Sequence, residues 1–504
     1  MQPNWQQLKN GSDIRAVAVA EGDAPAPLNA AVGRQVGAAF AQWLSARLQK
    51  PAEALTVAVG RDSRVTGEAL AAAIGEGLAS QGAKVLACGL CTTPAMFMTT
   101  VLLKTDGAVM TTASHLPWQR NGYKFFTPAG GLNGLDISAI LSMAVEMTIS
   151  QPGQPARAVD FLTMYKAHLA DLVRRHLPGA QPLAGLHVVV DAGNGAGGFY
   201  ADLLSELGAS VAGSQLLEPD GHFPGHLPNP EAPEAMDALS DAVRRAGADL
   251  GVIFDADCDR AALADAEGNE INRNRLIALT GAMLLRETPG AVIVSDSVVS
   301  AGLSRFIAAR GGALYRFKRG YRNVIDEAMR LNAEGIDCPL AIETSGHAAL
   351  RENYFLDDGM YLATRLIIEA MRLKRAGESL TALLDGLPEA KEAAEIRMPI
   401  KAQDFRPIGE AALLRVTEAL GTAPGWRIDA DNREGVRLCH GTDDTWCLLR
   451  LSLHDPLLVL NAESDRPGGV AAMLCELIAP LATQPAIDLN ALTPRISGIK
   501  EDTP

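Results

Sequence analysis

Residues 111–126 read TTASHLPWQRNGYKFF and follow the apolar run GAVM, so Ser114, His115 and Lys124 gather just past the end of an expected strand. A hydroxyl, an imidazole and an ammonium in one loop allow a plain turn, a hydrolase nucleophile or a phosphoryl-carrying serine. No G-x-S-x-G elbow surrounds Ser114, which weakens the hydrolase reading. A second loop, GVIFDADCDR (251–260), sets Asp255, Asp257 and Asp259 at alternate positions after another apolar run. An extended chain there would turn the three carboxylates to one face, where mutual repulsion is relieved by a cation. Ligands that are all oxygen suit Mg²⁺. An EF-hand is excluded, because Arg260 stands at the glycine position and Ala266 at the closing glutamate.

Two further loops offer ligand-binding groups. AIETSGH (341–347) presents Glu343, Ser345 and His347, a set suited to neighbouring sugar hydroxyls. RLSLHDP (450–456) presents Arg450, Ser452 and His454, suited to a phosphate. Three other patterns are ambiguous. Gly193, Gly195 and Gly198 spell G-x-G-x-x-G, with Glu218 further on, as a dinucleotide site would; they serve equally as packing glycines. His222 and His226 lie in a proline-rich loop rather than on a helix face, which argues against shared metal ligation. Cys88 and Cys91 form a lone C-x-x-C without a second pair.

These loops need elements to hold them. Three stretches repeat one plan: TVAVGRDSRVTGEALAAAIGEGLASQGAKVLACG, HVVVDAGNGAGGFYADLLSELGASVAGS and VIVSDSVVSAGLSRFIAARGGALYRF. Each has a β-branched run, a small loop, a helical segment closed by glycine and another apolar run, the signature of a βαβ crossover. Breaks at SQPGQPARA, EGNEINRN and DGLPEAKEA give α/β domains over 1–155, 156–270 and 271–387. Residues 388–504 read instead as a helix, four short strands and a final helix, an α+β domain. The chain of 504 residues carries a formal charge of −14, which excludes a nucleic-acid or anionic-membrane partner as the expectation. No apolar stretch approaches a membrane span, no leader pattern opens the sequence, and seven scattered cysteines fit reduced thiols; a cytoplasmic location is expected.

Taken in order, the loops resemble those of the α-D-phosphohexomutases, the family of phosphoglucomutase and phosphomannomutase. TASHLPWQRNGYK is similar to the family's active-serine loop, DADCDR to its DGDGDR metal loop, ETSGH to its sugar loop and RLSLHDP to its phosphate loop. GSDIR, GRDSR and PDGHFPGHLPNPE look like further landmarks, and ASHLP with RFKRGYRNVIDEA looks most like a plant and cyanobacterial branch. The resemblance implies four domains around a central cleft, each lending one loop. It implies a phosphoserine at Ser114 that exchanges its phosphoryl group with a hexose phosphate, mannose or glucose, through a hexose 1,6-bisphosphate that also acts as activator. By the same likeness, Asp255, Asp257, Asp259 and Ser114 hold Mg²⁺, while Lys124, Arg15 and Arg260 offset charge and His115 orients or moves a proton. Glu343, Ser345 and His347 would take the sugar, and Arg450, Ser452 and His454 the distal phosphate, in a monomer or homodimer. The chain departs from the pattern at Leu116, Leu453, His454 and Asp455. Two alternatives stay open: a sugar-phosphate sensor with weak activity, and a haloacid-dehalogenase-like phosphotransferase using Asp255, against which Asp259 occupies the usual Thr or Val position.

Overall fold

The buried runs that the sequence marks as strands do form parallel cores. In a computed structural model, described for residues 5–20, 25–149, 153–441, 445–452 and 455–492, Thr56–Arg61 pairs parallel with Lys84–Leu90 on one side and Gly107–Thr111 on the other. The helix Gly67–Ser80 makes the crossover. Gly107–Thr111 is buried along its whole length, as a strand covered on both faces must be. Arg120–Thr127 returns antiparallel beside it and pairs in turn with Asp13–Val17, so the sheet is mixed. Arg157–Ala158 adds a further parallel strand at the edge beyond residue 155. Helix Ala30–Leu48 lies tight on helix Gly67–Ser80: a Cβ on Gly37 would fall 2.2 Å from the Ile74 carbonyl oxygen. Phe40, Leu44, Ile74, Leu78, Val57 and Val109 fill the core beneath.

The second sheet is smaller. Val188–Asp191 runs parallel to Leu250–Phe254, which then turns back antiparallel into Ala261–Asp265 and Glu270–Ile271. The expected return strand of the second repeat, around ASVAGS, is reduced to isolated bridges from His187 to Ser210 and from Asp191 to Gln215. Its small residues supply little to pack on a pleated surface. Helix Pro233–Ala246 takes the crossover role, begun by proline at its first position and closed by Gly247 at φ 60°.

The third repeat follows the plan, with Val292–Asp296 flanked in parallel by Ala313–Phe317 and Leu340–Ile342. The last sheet is antiparallel throughout, in the order Glu392–Pro399, Leu457–Ser464, Thr445–Leu451, Val436–His440, Trp426–Ile428. Helices Arg406–Leu420 and Gly469–Leu481 contribute Val416 and Met473 to the core it shares with Met398, Leu449 and Leu460. Glu392–Pro399, a strand the sequence reading did not pick out, alternates buried and exposed positions as an amphipathic strand should. The chain thus has three α/β domains and a C-terminal α+β domain. Contacts group it into two units, Met1–Leu276 with Ser345–Leu383, and Ile277–Thr344 with Leu384–Pro504. Among the described residues no helix is long and apolar enough to cross a membrane.

Candidate active site

In the first unit the serine loop is held from behind. Ser114 has φ 51°, a left-handed conformation rare for residues other than glycine. Its amide donates to Thr112 Oγ1 at 2.8 Å, and Thr112 Oγ1 donates to Asp62 Oδ2 at 2.6 Å. Arg64, fully buried, spreads its guanidinium over four carbonyl oxygens of this loop: Ser114 at 2.5 Å, Leu116 at 2.6 Å, Pro117 at 2.9 Å and Arg120 at 2.8 Å. Its Nε lies 3.3 Å from Asp62. Burial pushes the Asp62 carboxyl up to about 6, against the pull of the Arg64 charge and the Thr112 hydrogen bond. The sequence reading noted GRDSR only as a landmark. Nothing in that string says that its last residue reaches across some fifty residues of chain to backbone oxygens.

Ser114 Oγ donates to Asp255 Oδ2 at 2.6 Å and lies 3.2 Å from His115 Nδ1. The positive charge of Arg260, burial and the charge of Arg15 hold the His115 imidazole far below its ordinary value, so the ring is neutral. Asp255, Asp257 and Asp259 each offer an oxygen within 4.8 Å of the others'. The expected convergence is therefore present, but an extended strand does not produce it. The strand ends at Phe254, and the loop curls, with Cys258 at φ 64° and its amide on the Asp255 carbonyl at 3.1 Å.

Each carboxylate has a distinct environment. Lys124 Nζ bonds Asp259 Oδ2 and lies 3.1 Å from Asp257 Oδ2. Thr93, at the start of helix Thr93–Leu102, donates its hydroxyl to Asp257 Oδ2 at 2.5 Å and its amide to the Asp257 carbonyl at 2.8 Å. Burial and Asp259 oppose ionisation of Asp257, yet Lys124 and Thr93 overcome them and hold it below the usual range. Burial and the charges of Asp259 and Asp257 push Asp255 well above that range. The Oδ1 atoms of Asp257 and Asp259 are buried and, among the described residues, have no hydrogen-bond partner. Three buried carboxylates with oxygens left open are a donor set that fits a hard divalent cation.

Arg260 closes the site. Its amide donates to Asp255 Oδ1 at 3.2 Å, its Nε to His347 Nε2 at 2.9 Å, and its Nη1 to Glu231 at 3.3 Å. His347 Nδ1 lies 2.6 Å from Asp357 Oδ2. His347, read from sequence as a sugar ligand, thus sits in this unit against the aspartate loop, and Asp357 joins it unannounced by any motif. Ser345 is buried in the same unit. Arg15, paired with Asp13 at 2.8 Å, adds positive charge felt by His115 and Asp257.

The ambiguous motifs resolve. A Cβ on Gly195 would lie 2.6 Å from the Ala256 carbonyl oxygen, and one on Gly198 2.0 Å from that of Leu217. These glycines let the chain pack closely, the second of the two readings the pattern allows. His222 lies 3.2 Å from Asp220 and His226 3.0 Å from Asp191, on separate carboxylates. Neither histidine, nor Cys88 or Cys91, belongs to the metal-competent groups among the described residues.

In the second unit Glu343 Oε1 accepts the Gly320 amide at 2.6 Å. Arg450 is 7% exposed on strand Thr445–Leu451, and burial and the Arg319 charge lower its guanidinium from the ordinary value. Ser452 Oγ accepts the Asp455 amide at 3.2 Å. His454 and Leu453 lie outside the described residues. The loop ETSGH passes from one unit to the other between Thr344 and Ser345.

Comparison with known proteins shows the family of the chain. Residues 6–146, 164–268 and 272–390 match the phosphoglucomutase/phosphomannomutase alpha/beta/alpha domains I, II and III. A Pseudomonas putida phosphomannomutase/phosphoglucomutase is 30% identical over 443 residues, 86% of this chain and 89% of its own. A Xanthomonas campestris protein named for phosphohexose mutases is 31% identical over 463 residues, 90% of this chain and 94% of its own. The crystal structure of a phosphoglucomutase/phosphomannomutase family protein from Burkholderia thailandensis superposes with a TM-score of 0.79 at 26% identity, covering 96% and 98% of the two chains. These three relatives are bacterial, and none speaks for the plant and cyanobacterial likeness.

Proposed function

The chain belongs to the α-D-phosphohexomutase family, a family of phosphotransferase isomerases acting on sugar phosphates, and from that premise we propose that it interconverts hexose 1-phosphates and 6-phosphates of glucose or mannose. Ser114 carries the phosphoryl group and passes it to the free hydroxyl of the bound hexose phosphate. The resulting 1,6-bisphosphate turns over and returns its other phosphoryl group to Ser114. The observation that carries this reading is Ser114 Oγ on Asp255 at 2.6 Å, inside the carboxylate cluster.

The residues divide the work. Arg64 and Thr112 fix the nucleophile's backbone so that Oγ faces Asp255. Lys124, Arg260 and Arg15 offset the charge of roughly −1.5 to −2 that a phosphoserine adds. The neutral His115 sets Nδ1 3.2 Å from Ser114 Oγ, where it can orient the hydroxyl or move a proton. Asp255, Asp257 and Asp259, with the serine oxygen, would hold Mg²⁺, which supplies charge stabilisation to phosphoryl transfer. Glu343, Ser345 and His347 would face the sugar, and Arg450, Ser452 and His454 its non-reacting phosphate.

The test is a panel of hexose 1-phosphates assayed with Mg²⁺ and a trace of the matching 1,6-bisphosphate. Turnover of the glucose or mannose compound, abolished by chelator and absent without bisphosphate priming, supports the mutase. Saturable hexose-phosphate binding with no turnover of any member overturns it in favour of a sensor.

A further inference from the structure

Arg450 is 7% exposed, and among the described residues no hydrogen bond or ion pair engages its guanidinium. A guanidinium so placed is costly unless an anion meets it. The acidic groups around it are Glu434, Glu395 and Asp296; among the described residues Glu395 is bonded at both oxygens and the other two at one oxygen each, and none hydrogen-bonds Arg450. Glu434 accepts from Ser297 Oγ and from the Arg319 amide at 3.1 Å. Glu395 accepts from Arg397 at 2.9 Å and Asn461 at 3.2 Å. Asp296 accepts from the Thr344 hydroxyl at 2.6 Å and amide at 3.2 Å. Among the described residues the guanidinium of Arg450 thus keeps open valences that an anionic ligand could take.

A second cation is carried to the same place. Arg319 is half-buried, and its backbone is fastened on both sides. Its own amide rests on Glu434, whose neighbour Gly435 packs directly on Arg450: a Cβ on Gly435 would lie 3.0 Å from the Arg450 Cα. The next residue, Gly320, has φ 119°, open to glycine alone, and gives its amide to Glu343. Arg319 is thus fixed between the carboxylate read for the sugar and the arginine read for phosphate. Its charge already depresses Arg450, as expected for two cations sharing one region.

We propose that Arg319 is a second phosphate-binding guanidinium, acting with Arg450 on the non-reacting phosphoryl group of the substrate. This rests on the mutase reading for the identity of the ligand, but the anion subsite itself does not. Two planar donors can engage several phosphate oxygens at once, so charge-assisted hydrogen bonds would replace the present repulsion.

The experiment is calorimetric binding of inorganic phosphate and of a hexose 6-phosphate to wild type, Arg319→Ala and Arg319→Lys, with steady-state kinetics alongside. Arg319→Ala should weaken both ligands about tenfold to a hundredfold. KM should rise by a similar factor with kcat nearly unchanged, because the contact is made in ground and transition state alike. Arg319→Lys should recover part of the loss. Melting temperatures near that of wild type show that the fold is kept, and Arg319→Gln replaces the alanine variant if it is not. Unchanged affinity for both ligands in the alanine or glutamine variant overturns the inference while leaving the mutase intact. Wild type that binds inorganic phosphate but no hexose phosphate overturns the mutase reading, and the phosphate arm still decides Arg319. Wild type that binds neither anion overturns both.

Discussion

The serine–aspartate region and the arginine region handle buried charge in opposite ways. Around Ser114 the loop backbone and the cations are matched within the chain, and the oxygens left open are the Oδ1 atoms of Asp257 and Asp259, on the carboxylates that fit a cation. Arg64 meets four carbonyls and Asp62, Lys124 bridges two aspartates, and Thr93 is spent twice on Asp257. Around Arg450 a buried guanidinium has no hydrogen-bond or ion-pair partner among the described residues, and the nearby carboxylates bond to other donors. Catalytic groups must keep one geometry through the reaction, and internal hydrogen bonds provide that. A group that captures a ligand keeps its hydrogen-bonding capacity for the ligand and carries the cost until binding occurs.

The largest effect that can break this contrast is Ser114→Ala. Turnover should fall to background while the melting temperature stays close to that of wild type, because the change removes one hydroxyl and leaves the clamp on the loop's carbonyls. Measurable mutase activity in that variant would remove the serine from its role. Next in size is Asp257→Asn, expected to lower kcat by about 10²- to 10³-fold through the weakened grip on cation, Lys124 and Thr93. Steady-state kinetics at saturating Mg²⁺ would show it, and a variant rescued to full rate by metal alone would shift the weight to Asp255 and Asp259.

Arg450→Ala sharpens the contrast. KM for hexose phosphate should rise about tenfold to a hundredfold, while thermal stability is unchanged or slightly higher, since a buried cation with no partner among the described residues disappears. Arg64→Ala should do the opposite and cost about 3–5 kcal/mol of stability, because Asp62 and the loop carbonyls lose their partner. Equal losses of stability in the two variants would contradict the division.

The smallest effect is a pH dependence. Asp62 is pushed up to about 6 in the folded chain from 3.8. Its contribution to stability is thus fully present below pH 4 and is lost as the pH rises through about 6. Denaturant titrations of wild type and Asp62→Asn should show a stability gap in favour of wild type that narrows over that window. A gap that widens with rising pH would mean that Arg64 dominates burial at this carboxyl.

How much of this was legible in the sequence depended on where each partner comes from. Ser114, Asp255, Asp257 and Asp259 stood out because reactive types cluster after apolar strands, and the strands formed where β-branched runs placed them. The convergence of the aspartates was right, although the extended geometry offered for it was not; a turn at Cys258 does the work. Thr93, Arg64, Asp357 and Arg319 were not picked out as site residues. Each acts through partners remote in sequence, often backbone oxygens or amides, and no local spacing encodes those. The second crossover was over-read for a related reason: ASVAGS has strand-like alternation, yet side chains too small to hold a ladder against helix Pro233–Ala246, which supplies the packing instead.

The proposed chemistry turns on Ser114 as the residue that carries phosphate. Incubating the protein with Mg²⁺ and a hexose 1,6-bisphosphate, then locating the added phosphoryl group by intact-mass and peptide mass spectrometry, tests it most directly. One phosphoryl group per chain, on Ser114 and discharged by excess hexose monophosphate, is the predicted result. An acid-labile phosphoryl group on Asp255, or none on any residue of a protein that turns substrate over, would contradict it.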